Sequence, residues 1–380
     1  MSAADLPPLR ILHCHSTFAA GGKEVRSVAL MNAFGDAAQH TIISAEPEAM
    51  AARALIAPGI AVRFPADFPS LTGKPTPGRL VTLAEAMKPF DLICTYNWGA
   101  MDAAMAHGVF ASNLGLPPLI HHEDGFNDDE AERLKPTRNW YRRAALRNAS
   151  RLVVPSLQLE AIALKVWQQP PAKVARIPNG IDTEAFAASP DPAALRVIKR
   201  PGERWVGTLA GLRTVKQLPL LVEAMQALPE DWHLVIAGEG DERETIRARA
   251  AELELSHRVH LPGAIAEPAR IIGLFDIFAL SSQSEQFPLS VVEAMAAGLP
   301  VAAPDVGDIR AMVAAENRPY IAVPNDAAAL GQMLADLAAD EDLRGRIGAA
   351  NRVRACAEYS APAMIAHYRA LYWGAAGRPI

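Results

Sequence analysis

Short apolar runs alternate with longer segments of helical period along almost the whole chain, and this alternation limits the fold more than any other feature. In the first half the strand-like runs are Leu9–Cys14, His40–Ala45, Ile60–Phe64, Asp91–Thr95, Pro118–His121, Arg151–Pro155 and Lys173–Ile177. Between them lie Glu24–Phe34, Arg79–Met87, Ala100–Ser112 and Trp140–Arg147, spaced as amphipathic helices are. Strand, helix, strand in succession predicts a parallel sheet with helices on both faces.

The pattern breaks at Ala187–Gly202, which holds three prolines and few large apolar residues and reads as a linker. It restarts with strands at Trp205–Leu209, His233–Ala237, Val259–Leu261, Ile277–Leu280, Pro300–Ala303 and Tyr320–Val323. Helices fit between them at Leu218–Ala227, Glu242–Glu252, Ala266–Leu274, Ser290–Ala297 and Ala327–Ala338. The expected architecture is two doubly wound α/β domains in series, consistent with 380 residues at about 150 per domain. Ligands of such sheets bind beyond the carboxyl ends of strands, so loops that follow strands carry the chemistry.

Composition removes several function classes. Half of the chain is hydrophobic, and the net charge of −5 argues against a surface built wholly for nucleic acid. Cys14, Cys94 and Cys356 lie far apart, form no metal-ligand cluster and fit a reducing compartment. Met1–Pro8 lacks a basic n-region, and no stretch approaches 18 uninterrupted apolar residues. A soluble cytoplasmic protein is the expectation.

Four loops after strands stand out. In Ala19–Glu24 the paired Gly21 and Gly22 open a helix; they suit close approach of an anion, or simply make a strand-to-helix turn. In the loop Gly207–Lys216, Arg213 and Lys216 beside a helix start suit a diphosphate, or are two solvated surface charges. Gly238-Glu239-Gly240 is better explained as a tight turn. The loop Ser281–Met295 is the richest, with carboxylates at Glu285 and Glu293 and a helix start through Phe287, Pro288, Leu289 and Ser290 whose free backbone N–H groups could hold phosphate or sugar hydroxyls. Glu293 suits the vicinal hydroxyls of a ribose, but Ser290-x-x-Glu293 is also a capping box that needs no ligand. In the first half, His121, His122, Glu123 and Asp124 end a strand and offer acid–base or sugar-binding groups. Asp128-Asp129-Glu130 loosely resembles a metal motif, although an acidic helix start explains it as well.

The stretch from Ser281 to Val301 resembles the signature of glycosyltransferase family 4, whose Glu-x7-Glu motif matches Glu285 and Glu293. The Ile177–Asp182 segment Ile-Pro-Asn-Gly-Ile-Asp, the Gly238–Gly240 turn, the Arg213/Lys216 pair and the Gly21-Gly22 loop match that family in its order. The resemblance implies a GT-B fold, two Rossmann-like domains facing a cleft, with boundaries at 1–186 plus 361–380, a linker at 187–203, and 204–360. It implies sugar transfer from a nucleotide sugar with retention, UDP being the commoner nucleotide in the family and GDP close behind, and without a metal or other cofactor. By match, Glu293 meets the ribose, Arg213 and Lys216 the diphosphate, Glu285 the transferred sugar, and Gly263 and Ile265 the base through backbone groups. His121, His122 and Asp124 compete for the position of a family histidine near the donor sugar. Ala210-Gly211 stands where many members carry Gly-Arg. A nucleotide-sugar epimerase and a non-catalytic scaffold of the same fold are the alternatives.

The acceptor falls to first-domain loops, where Tyr96, Asn97 and Trp98 make either a sugar or lipid platform or a buried plug. Residues 123–132 hold six acids and residues 133–151 seven bases. The basic, aromatic Trp140–Arg147 segment either docks on anionic lipid, with a glycan or lipid-linked acceptor, or pairs its arginines with the acidic stretch.

Overall fold

The apolar runs become the strands of two separate parallel sheets. The computed structural model describes residues 6–126, 130 and 133–379. The first sheet contains β1 (Leu9–His15), β2 (Ala38–Ser44), β3 (Val62–Arg63), β4 (Leu92–Tyr96), β5 (Leu119–His122), β6 (Arg151–Val154) and β7 (Val174–Arg176), in the order β3-β2-β1-β4-β5-β6-β7. Its helices are α1 (Gly22–Phe34), α2 (Pro77–Met87), α3 (Met101–Leu114), α4 (Pro136–Ala145) and α5 (Leu157–Lys165). The second sheet contains β8 (Arg204–Leu209), β9 (Trp232–Ala237), β10 (Val259–Gly263), β11 (Ile277–Ala279), β12 (Val301–Pro304) and β13 (Ile321–Ala322), in the order β10-β9-β8-β11-β12-β13. With it go α6 (Thr183–Ala187), α7 (Leu218–Ala224), α8 (Arg243–Glu252), α9 (Leu289–Ala296), α10 (Ile309–Met312), α11 (Ala327–Ala339) and α12 (Glu341–Glu358), and α13 (Ala361–Ala375) ends the chain.

Two compact units result, Met1–Pro178 with Met364–Ile380, and Asn179–Ala363. The Ile177–Asp182 segment crosses that division, and Asp182 caps α6 by accepting the Ala185 N–H at 3.1 Å. The stretch expected to be a linker is part of the second unit. Leu195 is buried in its core, Asp191 pairs with Arg270 at 2.5 Å and Lys199 with Asp276 at 2.6 Å. Its prolines mark turns, and these few anchors hold it. The helix expected at Ala266–Leu274 is instead two 3-10 turns, Pro268–Arg270 and Ile272–Leu274, because Pro268 lacks an N–H and Gly273 is a poor helix former.

Each sheet is buried on both faces, as parallel sheets are. In the first unit Leu12, Cys14 and Ile93 pack toward α2 and α3, while Leu9, Ile11 and Cys94 pack with Tyr368 and Tyr372 of α13. In the second, Trp205, Val235 and Phe278 share a core with α9, and Val206, Leu234 and Ile277 one with α7, α8 and α11. The strand order reverses between β1 and β4 and again between β8 and β11. Those are the switch points where the loops part and a ligand can enter.

Candidate functional site

At the second unit's switch point the loops after β8 and β11 are tied together. Ser281 Oγ donates to the Lys216 carbonyl at 2.9 Å, and the Gln283 N–H donates to the Val215 carbonyl at 2.9 Å. This brings the Lys216 ammonium to 2.5 Å from Glu285 Oε1, which also accepts from Ser282 Oγ at 2.7 Å. A Cβ at Gly307, where φ is +56°, would overlap the Glu285 carbonyl oxygen, so that glycine lets the neighbouring loop approach. Arg213 is exposed and, among the described residues, holds no ion pair.

The Gly-Glu-Gly turn has a packing role. Side chains at Gly238 and Gly240 would overlap the carbonyl oxygens of Ala210 and Leu212, and the Leu212 N–H donates to the Glu239 carbonyl at 2.9 Å. Gly263 likewise accepts the Gly238 N–H at 2.9 Å, while Ile265 packs against the core.

Helix α9 begins at Leu289 with Pro288 as its N-cap residue and no side-chain cap bond. Ser290 therefore lies inside the helix, and the capping box suggested by Ser290-x-x-Glu293 does not form. With Pro288 in the N-cap position the helix starts two residues earlier than the motif assumes. The first-turn N–H groups at Leu289 and Ser290 lack intrahelical acceptors, as at any helix start. Phe287 meets Tyr359 edge to face at 5.6 Å, so its side chain is used in packing. Glu293 is mostly buried and, among the described residues, has no side-chain hydrogen-bond or ion-pair partner. Burial pushes its carboxyl up to about 7.

The first unit treats its polar groups differently. Gly21 is the N-cap residue of α1 without a side-chain cap, and Gly22 opens the helix. Lys23 is already paired with the buried Glu24, which also accepts from Thr17 Oγ1 at 3.0 Å. Tyr96 is buried, stacked between His15 at 4.0 Å and His122 at 4.6 Å, with its hydroxyl 3.0 Å from His13 Nδ1. As part of an exposed platform it is therefore corrected: it ends β4 on the face covered by α13. Asn97, at φ +53°, donates its N–H to the His122 carbonyl at 2.9 Å and accepts the Asp124 N–H at Oδ1, also at 2.9 Å. Trp98 is half-buried against Tyr141, with Arg138 and Arg142 over its ring.

Of the three residues competing at the end of β5, two are enclosed. His121 Nδ1 lies 2.8 Å from Thr95 Oγ1, and its Nε2 lies 3.7 Å from Glu123. His122 Nε2 lies 3.0 Å from the Tyr372 hydroxyl; burial, reinforced by Arg26, holds its pKa well below the usual imidazole range. Asp124 alone keeps a partly exposed side chain, and Arg26 grips both its oxygens, one at 2.8 Å. Burial opposes the charge on Arg26, but Asp124 outweighs it and raises the guanidinium's pKa. No sequence signal marked Arg26, because an arginine on a helix ordinarily reads as solvated.

The Trp140–Arg147 segment turns one arginine inward. Arg142 is fully buried, donates to both oxygens of Glu130 at 2.9 and 3.2 Å, sits 3.5 Å from Glu123 and lies over the rings of Trp98, Phe126 and Trp167. Arg138 donates to Glu130 at 3.0 Å. Arginines and acidic stretch are thus paired through Glu130, whereas Asp128 and Asp129 lie outside the described residues. Trp140 stays 69% exposed, with Arg143 and Arg147 exposed beside it. Among the described residues no helix is long and apolar enough to cross a membrane, and no three His, Cys, Asp or Glu side chains group to hold a metal ion.

Two family models match, Glycosyltransferase Family 4 over residues 11–185 and Glycosyl transferases group 1 over residues 196–354. The UDP-Gal:alpha-D-GlcNAc-diphosphoundecaprenol alpha-1,3-galactosyltransferase of Escherichia coli is 25% identical over 260 residues, 65% of this chain and 66% of that protein. The D-inositol 3-phosphate glycosyltransferase of Segniliparus rotundus is 31% identical over 245 residues, 60% of this chain and 54% of that one. The chain thus spans about half to two thirds of the length of such relatives. In structure it is similar to Anabaena Alr3699/HepE in complex with UDP, with a TM-score of 0.79 at 19% identity, covering 96% of this chain and 99% of that one. This likeness extends to the fold: two Rossmann-like parallel-sheet units in one chain.

Proposed function

This chain belongs to glycosyltransferase family 4, and we propose that it moves a sugar from a UDP-sugar to a hydroxyl of a glycan or lipid-linked acceptor. The observation that carries the reading is Glu293, a mostly buried carboxyl with no side-chain partner among the described residues, on the helix that starts beside the Lys216–Glu285 pair. A buried polar group left unpaired costs stability and invites a ligand that satisfies it. The vicinal hydroxyls of a ribose would do so.

The diphosphate then falls to exposed Arg213, to Lys216 and to the first-turn N–H groups at Leu289 and Ser290. These groups oppose the negative charge that builds on the leaving diphosphate as the glycosidic bond breaks. Lys216 would exchange Glu285 for phosphate, freeing Glu285 for hydroxyls of the transferred sugar. Gly263 and Ile265 offer backbone groups to the base; in the first unit Gly21 and Gly22 leave the α1 N-terminus open to an anion. In the first unit Asp124, gripped by Arg26, would accept a hydrogen bond from a sugar hydroxyl.

The relative that uses UDP-Gal and the neighbour solved with UDP support the nucleotide. The acceptors named for the two relatives support a hydroxyl on a glycan, polyol or lipid-linked sugar. Retention at the anomeric carbon and independence from metal are parts of the proposal, since two cations and a helix start can neutralise a diphosphate. Peripheral contact with anionic lipid through Trp140, Arg143 and Arg147 is a further part; failure to co-sediment with anionic vesicles at low salt removes it.

The test is thermal stabilisation by UDP, GDP, ADP and their sugar conjugates, with and without magnesium. A ligand specific to the native state at 100 times its Kd adds about 2.7 kcal/mol. UDP standing out without magnesium supports the proposal, and silence across the nucleotides overturns it.

A further inference from the structure

At the amino end of the first sheet, between β1, β2, β3 and the end of α2, lies a cavity of about 510 Å³ to which nothing above gives a role. That volume suits a small molecule. Residues that stand opposite one another in parallel strands share a face, and the register pairs Arg10 with Gln39 and Thr41 with Arg63. Arg10, Gln39, Thr41 and Arg63 therefore lie on one side of three adjacent strands, and all four line the cavity. Further along β1 the same face carries Leu12 and Cys14 in the core. Strands about 4.8 Å apart, rising about 3.3 Å per residue, put the Cα atoms of Arg10 and Arg63 about 12 Å apart. An extended arginine spans about half of that, so both guanidiniums can meet one small ligand.

The charges there do not cancel. Asp91 accepts the Arg10 backbone N–H at 2.9 Å and its side chain at 2.7 and 3.2 Å, and it also accepts from Arg378 at 3.2 Å. Two guanidiniums thus share one carboxylate, and the Arg10 side chain stays 53% exposed. Arg63 is exposed and, among the described residues, has no ion pair. No acidic residue stands among the described residues that line the cavity, whereas Phe68, Phe90 and Pro65 give it apolar wall.

Surplus guanidiniums suit a carboxylate or phosphate, Gln39 and Thr41 offer hydrogen bonds beside it, and aromatic walls suit a ring. We propose that this cavity binds a small organic anion, an aromatic carboxylate or phosphate ester, with its head group between Arg10 and Arg63 and its ring against Phe68 and Phe90. The site lies at the strand ends opposite those given a role in sugar transfer, and it does not depend on that reading.

Isothermal titration of the full chain with benzoate, phenyl phosphate, benzyl alcohol and inorganic phosphate tests it. At least one ring-bearing anion should bind about tenfold tighter than benzyl alcohol, which lacks the charge, and than phosphate, which lacks the ring. Whichever of the two binds better identifies the head group. Arg63→Glu reverses an exposed charge, and Ala86→Phe fills the cavity from α2. Each should weaken the anion about tenfold while thermal melts report a folded chain. Saturating UDP should leave the anion's affinity unchanged, since the nucleotide is assigned to the second unit. Silence from both ring-bearing anions, equal binding by benzyl alcohol or inorganic phosphate, wild-type affinity in either folded variant, or displacement by UDP overturns the inference.

Discussion

Among the described residues, Arg213 stands exposed and Glu293 is mostly buried without a side-chain partner at the carboxyl edge of the second sheet, whereas at the same edge of the first sheet almost every charge is matched. There Arg26 holds Asp124, Lys23 holds Glu24, Arg142 and Arg138 hold Glu130, and the histidines stack on tyrosines. The topologies are alike, and on the function proposed above the difference reflects what each edge would meet. An edge that receives a charged leaving group needs groups in excess. An edge that positions a neutral hydroxyl needs fixed groups and no surplus charge.

The largest effect that could break this contrast is on stability. Arg142→Met leaves Glu123 buried without its cation and Glu130 with Arg138 alone, and should destabilise the first unit by about 3–5 kcal/mol in guanidinium titrations. Adding E130Q and E123Q should recover most of that loss, since removing all members of a buried charged cluster is far milder than removing one. A fully stable single variant would mean that the matched charges are not what orders the first edge.

Next comes Lys216→Ala. If the second edge exists to meet developing charge, turnover should fall about 100- to 1,000-fold, roughly 2.7–4 kcal/mol of transition-state stabilisation. A change confined to KM would show that Lys216 acts on ground-state binding alone.

Glu293→Gln should move stability and binding in opposite directions. The folded carboxyl titrates at about 7 against an ordinary 4.5, so between those values the folded state holds the extra proton. Stability therefore falls as pH rises from about 4.5 to 7, and the full cost is present above 7. The amide should raise the ligand-free stability by about 1–3 kcal/mol at pH 8 and leave it unchanged near pH 4, measured by thermal melts across pH. UDP affinity should drop about tenfold, the scale of one lost charge-assisted contact. Unchanged affinity would remove Glu293 from the nucleotide site.

The smallest expected effect is that of chelation. With EDTA in place of magnesium, turnover should stay within about twofold if side chains and helix N–H groups alone neutralise the diphosphate. Loss of activity that magnesium restores would end the metal-independent reading.

The sheets were legible in the sequence because burial on both faces makes each strand a compact apolar run, and every run named above became a strand to within two residues at either end. The glycine turns were legible too, since only glycine lets two loops approach as Gly238 and Ala210 do. Long-range pairing was not. Nothing local joins Arg26 to Asp124, 98 residues on, and an arginine bound for burial looks like one bound for water. The Ser290-x-x-Glu293 pattern misled for a related reason: a capping motif is read relative to a helix start, and Pro288 moved that start. Tyr96 illustrates the same limit, because one residue at a strand's end faces either the open edge or the core.

Helix α13 has a consequence for biosynthesis. Leu9, Ile11 and Cys94 need Tyr368 and Tyr372 to complete their face of the core, so the first unit can complete that core only once α13 has emerged from the ribosome. The second unit, lying between those pieces, is complete earlier. Vectorial synthesis therefore lets the second unit fold first, while the first unit waits for α13 with an exposed apolar face. Chaperone capture of nascent chains should accordingly track the first unit and end with the release of α13.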